Sequence, residues 1–102
     1  MGGYRIVQFE SYQTADQIQQ FYRTELPKHG WDLLCSPTGL EEPGCPLGLS
    51  PVADLADAYN RDDEASKVRA IDVTIYKPGV NQAAATYRLV EVVEYRYALP
   101  AP

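Results

Sequence analysis

No stretch of this sequence approaches the roughly 20 consecutive apolar residues that a membrane-spanning helix needs, so an integral membrane protein is not expected. Basic residues are in deficit. Nine Lys and Arg against 14 Asp and Glu leave a formal net charge of −5. Such a balance repels phosphate backbones and anionic lipid, and nucleic acid is not an expected partner. The opening Met1-Gly2-Gly3 carries neither the basic nor the apolar stretch of a signal peptide. Two settings follow: the chain is cytoplasmic, or it begins after a signal that has been removed.

Side chains for catalysis are scarce as well. His29 is the only histidine, beside Lys28 and Gly30 at the end of a helical pattern. A general base needs a positioned partner, and a solvated turn histidine is the better reading. None of the serines Ser11, Ser36, Ser50 and Ser66 stands in a nucleophile-elbow context. Gly39, Gly44 and Gly48 are interleaved with prolines and do not form a strand-to-helix phosphate loop. Two cysteines and one histidine fall short of a zinc ligand set. No catalytic residue, metal or cofactor is expected. Asp54, Asp57, Asp62, Asp63 and Glu64 form an acidic cluster whose oxygens could hold Ca²⁺. The spacing lacks the calcium-loop pattern, so the expectation is a solvated acidic face. Asp32 and Asp72 lie in strand-like stretches, each able to pair with Arg69 or Arg88.

What is present describes one globular domain over 1–102. Apolar residues make up 45% and charged residues 23%, close to globular averages. Residues 4–12 read as a strand, rich in aromatic and β-branched types. Thr14-Ala15-Asp16-Gln17 matches a capping box, with Asp16 placed to complement the helix dipole. Ile18, Phe21, Tyr22 and Leu26 then fall on one helix face and are predicted to meet the core. Pro27 weakens or ends the last turn, and Gly30 suits a left-handed stop. A short strand over 31–35 leads into a loop, 36–51, holding four prolines and three glycines. Ser50 as cap and Pro51 at the first position predict a short helix over 51–59. Residues 60–66 read as a polar turn. A hairpin closes the chain, with strands over 68–77 and 85–99 about a turn at 78–81. In the first strand Ile71, Val73 and Ile75 oppose Ala70, Asp72, Thr74 and Tyr76. In the second, Val92-Val93 breaks the alternation and suggests a bulge. The order β-α-β-loop-β-β predicts an α+β two-layer sandwich, a mainly antiparallel sheet of about four strands under one main helix.

Cys35 and Cys45 flank a Pro/Gly-rich segment whose ends meet easily. A bridge would close a ring of about 11 residues and stabilise by roughly 3 kcal/mol in the chain-entropy model. Two free thiols in a reducing cytoplasm are the alternative, and the even count favours the bridge. Residues 14–31, TADQIQQFYRTELPKHGW, resemble a pattern in uncharacterised bacterial envelope proteins and predicted lipoproteins. There a capped helix carrying Phe-Tyr is followed by Leu-Pro, two residues, and Gly-Trp opening a strand. The resemblance covers about a fifth of the chain and is a structural signature, making Phe21, Tyr22, Leu26 and Trp31 core residues and Gly30 a cap. It carries no catalytic residue. It implies an extracytoplasmic setting and with it a Cys35–Cys45 bridge.

Aromatic character is uneven, with eight tyrosines against two phenylalanines and one tryptophan. Tyr87, Tyr95 and Tyr97 share a parity on the last strand, and Tyr76 falls on its hairpin partner. Under the helix they are core. On the other face they make a platform for a protein, a peptide, a glycan or a second copy of the chain. The expectation is a non-catalytic binding or structural module, a homodimer through the tyrosine face being one form of it. The alternative is a small-ligand carrier or small enzyme whose pocket lies between the sheet and the 36–51 loop, using carboxylates such as Asp32 or Asp72.

Overall fold

The computed structural model describes residues 3–61, 68–79 and 86–96. It contains, in chain order, strand β1 (Gly3–Ser11), helix α1 (Ala15–Lys28), and strands β2 (Asp32–Cys35), β3 (Ala53–Asn60), β4 (Val68–Tyr76) and β5 (Arg88–Arg96). The strands form one sheet in the order β1-β5-β4-β3-β2, every neighbouring pair antiparallel. The fold is α+β, a sheet with one helix on it, as the patterning predicts, but with five strands rather than four.

The added strand is β3, which occupies the stretch expected to be a short helix over 51–59. The helix-start signal is used, for one turn only. Ser50 Oγ accepts the Val52 N–H at 3.3 Å, and the Ala53 N–H donates to the Ser50 carbonyl at 3.0 Å. From Ala53 onward β2 and β4 flank the segment and pair with it on both sides. Ladder bonds to two neighbours outweigh the helical preference of a segment rich in alanine. The alternation that results puts Leu55, Asp57 and Tyr59 on one face and Ala56 and Ala58 on the other, as their partners Ile75, Val73, Ile71, Thr74 and Asp72 show.

Helix α1 is capped as the sequence predicts. The Gln17 N–H donates to Thr14 Oγ1 at 3.2 Å, and the Thr14 N–H donates to Gln17 Oε1 at 3.0 Å. Pro27 lies inside the last turn, and the helix runs one residue beyond it. The stop is made by the N–H groups of His29, Gly30 and Trp31 donating to the Leu26 and Pro27 carbonyls, with Gly30 at φ 85°. That left-handed conformation is one that glycine adopts without steric cost.

The core joins Ile18 and Trp31 to Tyr59, Ile71, Val73, Ile75 and Val90, with Tyr22, Leu26, Leu55 and Val92 packed around them. The Arg61 guanidinium lies 4.0 Å from the Trp31 ring centroid, a cation–π contact. Phe21 departs from expectation: it is 57% exposed. The reason is where the helix sits. Helix α1 lies over β2, β3 and β4, so the edge of its apolar stripe faces β1, where Val7 and Phe9 are left partly exposed.

No shift of register occurs at Val92-Val93, where the suggested bulge would fall. The shift is on β4 between Val68 and Ala70, and another lies on β3 between Ala53 and Leu55. Val90 and Val92 therefore face the helix, and Leu89, Val93 and Tyr95 face away from it. The hairpin turn at 80–81 and strand residues 97–99 lie outside the described residues.

Cys35 and Cys45 are bonded, with Cα atoms 5.8 Å apart. The bridge holds the 36–51 loop over the sheet face opposite the helix. Ala56 and Ala58 on that face are 1% exposed, and Pro46 lines a cavity there with Ala70, Asp72 and Tyr95. Within the loop the Leu49 N–H donates to the Gly39 carbonyl at 2.7 Å. Gly48 is there because a Cβ at that position would overlap the Leu40 carbonyl.

Candidate functional site

Three places on this frame gather polar or aromatic chemistry. The first is Asp57, expected on a solvated acidic face but 3% exposed. Strand β3 turns it under the helix, beside Tyr59 two residues on. Arg23 grips it through two bonds, Nε to Oδ2 at 2.9 Å and Nη2 to Oδ1 at 3.0 Å. Gln19 Nε2 donates to Oδ1 at 3.2 Å, Ser36 Oγ to Oδ1 at 2.7 Å, and the Tyr59 hydroxyl to Oδ2 at 3.2 Å. Burial alone would raise the Asp57 pKa, but the bonds from Arg23, Ser36 and Gln19 outweigh it and hold the carboxyl below its ordinary value. Burial and the neighbouring carboxylate push the Tyr59 hydroxyl far up. Every acceptor direction of this carboxylate is used by the fold itself. It ties helix, loop and sheet together, and it is not disposed for chemistry.

The second place is the groove beside α1. A cavity of about 370 Å³ is lined by Phe9, Gln13, Ile18, Phe21 and Tyr22. Phe9 and Val7 of β1 point to the helix side, since their partners are Val90 and Val92. They are 39% and 37% exposed because the helix stops short of them. Phe21 and Tyr22 pack edge to face, ring centroids 5.3 Å apart, and form the opposite wall. Burial raises the Tyr22 pKa, so its hydroxyl stays protonated. The floor runs into β1, an edge strand of nine residues paired with β5 without a register shift. Its other face shows Tyr4 and Ile6, 68% and 49% exposed. The opposite sheet edge, β2, has four residues and a bulge, and it carries the disulfide. A short, irregular edge is protected against strand addition, and a long edge paired without a bulge is less so.

The third place is the sheet face away from the helix, where the tyrosines were expected to gather. Tyr95 is there, opposite Tyr4 on β1 and Ala70 on β4. Tyr76 lies on the same face six positions along β4 from Ala70, a separation of about 20 Å. Tyr87 sits near Tyr76 and packs edge to face on Tyr12, centroids 6.2 Å apart. Tyr76 and Tyr95 thus lie at opposite ends of the sheet and do not make one continuous platform; Tyr97 lies outside the described residues. Between the sheet and the 36–51 loop lies a cavity of about 190 Å³ lined by Pro46, Ala70, Asp72 and Tyr95. Asp72 is 8% exposed, burial raises its pKa, and a hydrogen bond with Tyr95 offsets part of that rise. Asp32 is exposed on β2 and takes no part in this cavity.

Other candidates resolve simply. Arg88 binds Asp54 at 2.8 Å rather than Asp32 or Asp72, and also donates to the Gln13 and Tyr76 carbonyls. Asp62, Asp63 and Glu64 lie outside the described residues. Among the described residues no group of three or more His, Cys, Asp or Glu is placed to hold a metal, and no helix is long and apolar enough to cross a membrane. His29 is an exposed cap residue. Matched against protein-family models, curated proteins and solved structures, the chain finds no counterpart.

Phe9, Gln13 and Phe21 were not legible as a site. Helical spacing makes Phe21 look like core, and only the strand order shows that the helix leaves β1 uncovered. A signal for Asp57 did exist: read as a strand, 53–60 gives it the parity of Leu55 and Tyr59.

Proposed function

We propose that this chain is a non-catalytic binding module of an envelope-associated bacterial protein, and that it takes an extended segment of a partner protein along β1. One observation carries the reading. β1 is a long, unbroken edge strand whose helix-side residues Val7 and Phe9 open into an apolar groove. An added strand gains main-chain hydrogen bonds from such an edge and specificity from pockets that receive alternate side chains. The groove fits one large apolar side chain of the incoming segment, packed between Phe9 and Phe21. The Cys35–Cys45 bridge supports an oxidising, extracytoplasmic compartment. The likeness of residues 14–31 to envelope proteins points the same way.

Selection of peptides from a random decapeptide display library tests this. Selected peptides are expected to alternate apolar and polar residues, to shift the β1 amide resonances, and to lose at least tenfold in affinity to Phe9→Glu. Peptides that bind elsewhere, or that ignore Phe9→Glu, would refute it. So would self-association that Phe9→Glu abolishes, since the occupant would then be a second copy. A second reading, a small-ligand carrier, is favoured by the cavity under the 36–51 loop.

A further inference from the structure

The two buried carboxylates among the described residues are in opposite situations. Asp57 is met by a guanidinium, a hydroxyl, an amide and a phenol. Asp72 lies on the other face of the same sheet, directly across the ladder from Ala58 and Val93. Its described contact is a hydrogen bond with Tyr95, a neutral group, and beside it a cavity opens rather than a packed core. A carboxylate held away from water calls for a positive counter-charge. Here the fold leaves about 190 Å³ next to it, room for roughly six waters or a ligand of similar volume at ~30 Å³ per water.

The remaining walls suit an alkyl cation. Pro46 and Ala70 are apolar, and the Tyr95 ring offers a face that attracts positive charge. The Cys35–Cys45 bridge fixes Pro46, the residue after Cys45, over the sheet, so the site is closed on one side by a stapled loop. We propose that this cavity binds a small alkylammonium group, the ammonium donating to Asp72 and the alkyl part lying against Pro46, Ala70 and the Tyr95 ring. The assignment rests on the carrier reading and names its ligand class. It is independent of the β1 groove, which lies on the helix side of the sheet.

The probe is n-butylammonium chloride, titrated into the whole chain and followed by amide chemical shifts, with n-butanol and sodium butyrate as neutral and anionic isosteres. Saturable shifts are expected at Ala70, Asp72 and Tyr95, at least tenfold weaker for butanol and absent for butyrate. Asp72→Asn keeps the side-chain volume and should lose at least tenfold in butylammonium affinity with shifts outside the cavity unchanged. Tyr95→Phe keeps the ring, removes the competing hydroxyl, and should bind as well as wild type or better. Butanol binding as tightly as butylammonium would overturn the cation assignment and leave the carrier reading standing. Shifts from no probe at these residues would overturn both. Should Asp72→Asn fail to fold, the comparison of isosteres on the wild-type chain decides alone.

Discussion

Replacing Asp57 with asparagine should unfold this protein more readily than any other single polar substitution on the helix side of the sheet. The substitution keeps shape and removes charge. One carboxylate oxygen becomes an amide donor facing the Arg23, Gln19, Ser36 or Tyr59 donors that Asp57 now satisfies. Breaking a buried ion pair by removing one partner costs about 3–5 kcal/mol. The Arg23 side chain is 36% exposed against 3% for Asp57, so the guanidinium can partly rehydrate and the low end applies. A loss of about 3 kcal/mol is a large share of the roughly 5–15 kcal/mol that holds a domain folded. At about 4–8 °C per kcal/mol for a chain near this size, Tm should fall by roughly 12 °C or more. The pH dependence supplies an independent check. The folded pKa of Asp57 lies below the unfolded value, so its contribution is fully present above the unfolded carboxylate pKa of about 3.9 and is lost as pH falls through the folded value. The gap in Tm between wild type and Asp57→Asn should therefore be widest near pH 7 and close below about pH 4. Thermal melts by circular dichroism across that range measure both quantities. A loss under about 1 kcal/mol at pH 7, or a gap unchanged in acid, would show that the pair is not what ties helix, loop and sheet together.

Asp72→Asn should do the reverse, raising Tm at pH 7. Burial lifts the folded pKa of Asp72 above its unfolded value, so the ionised form penalises the fold at high pH and the penalty fades as pH falls through the folded pKa; melts that show no gain at pH 7, or the same gain at pH 3, would contradict this. Cys35→Ser with Cys45→Ser should cost about 3 kcal/mol in urea unfolding, from a ring closed over a sequence separation of 10. Ile18→Ala, at 3% exposure, should cost about 2–5 kcal/mol, whereas Phe21→Ala, mostly exposed, should cost well under half as much; equal losses would mean that the groove is filled in solution. Gly48→Ala should destabilise the 36–51 loop, because its Cβ would press on the Leu40 carbonyl, and faster amide exchange at Leu49 is the signal to look for.

What could be read from the residues was local. The capping box at Thr14, the stop at Gly30, the alternation of Ile71, Val73 and Ile75, and the proximity of Cys35 to Cys45 all depend on a few neighbouring positions, and the structure has each of them. The strand at 53–60 was hidden because its residues favour a helix in isolation and become a strand only when two neighbours arrive from far along the chain. That single misreading also hid Asp57, since a strand and a helix put residue 57 on different faces. The aromatic face was harder to place for a related reason. Tyrosine parity on β5 was legible, but whether that parity faced the helix depended on the order β1-β5-β4-β3-β2, which no local pattern encodes.

That order also accounts for where binding surfaces can arise at all. Five strands at about 4.8 Å spacing make a sheet roughly 19 Å across, while a helix with its side chains is about 10–12 Å wide. One helix therefore covers some three strands, and α1, which joins the β1 edge to the β2 edge, settles over β2, β3 and β4. Sheet area is left over on the helix side at β1, where Val7 and Phe9 are partly exposed, and all of the opposite face needs another cover. Over β3 and β4 the stapled 36–51 loop brings Pro46 to that face, where Ala56 and Ala58 are buried. The two cavities lie at the two margins of that coverage, one where the helix ends and one where the loop ends. A second helix or a longer loop would have closed them. With one helix among the described residues both stay open, and the side chains placed there, Phe9 and Phe21 at one and Asp72 and Tyr95 at the other, set the chemistry of what each can take.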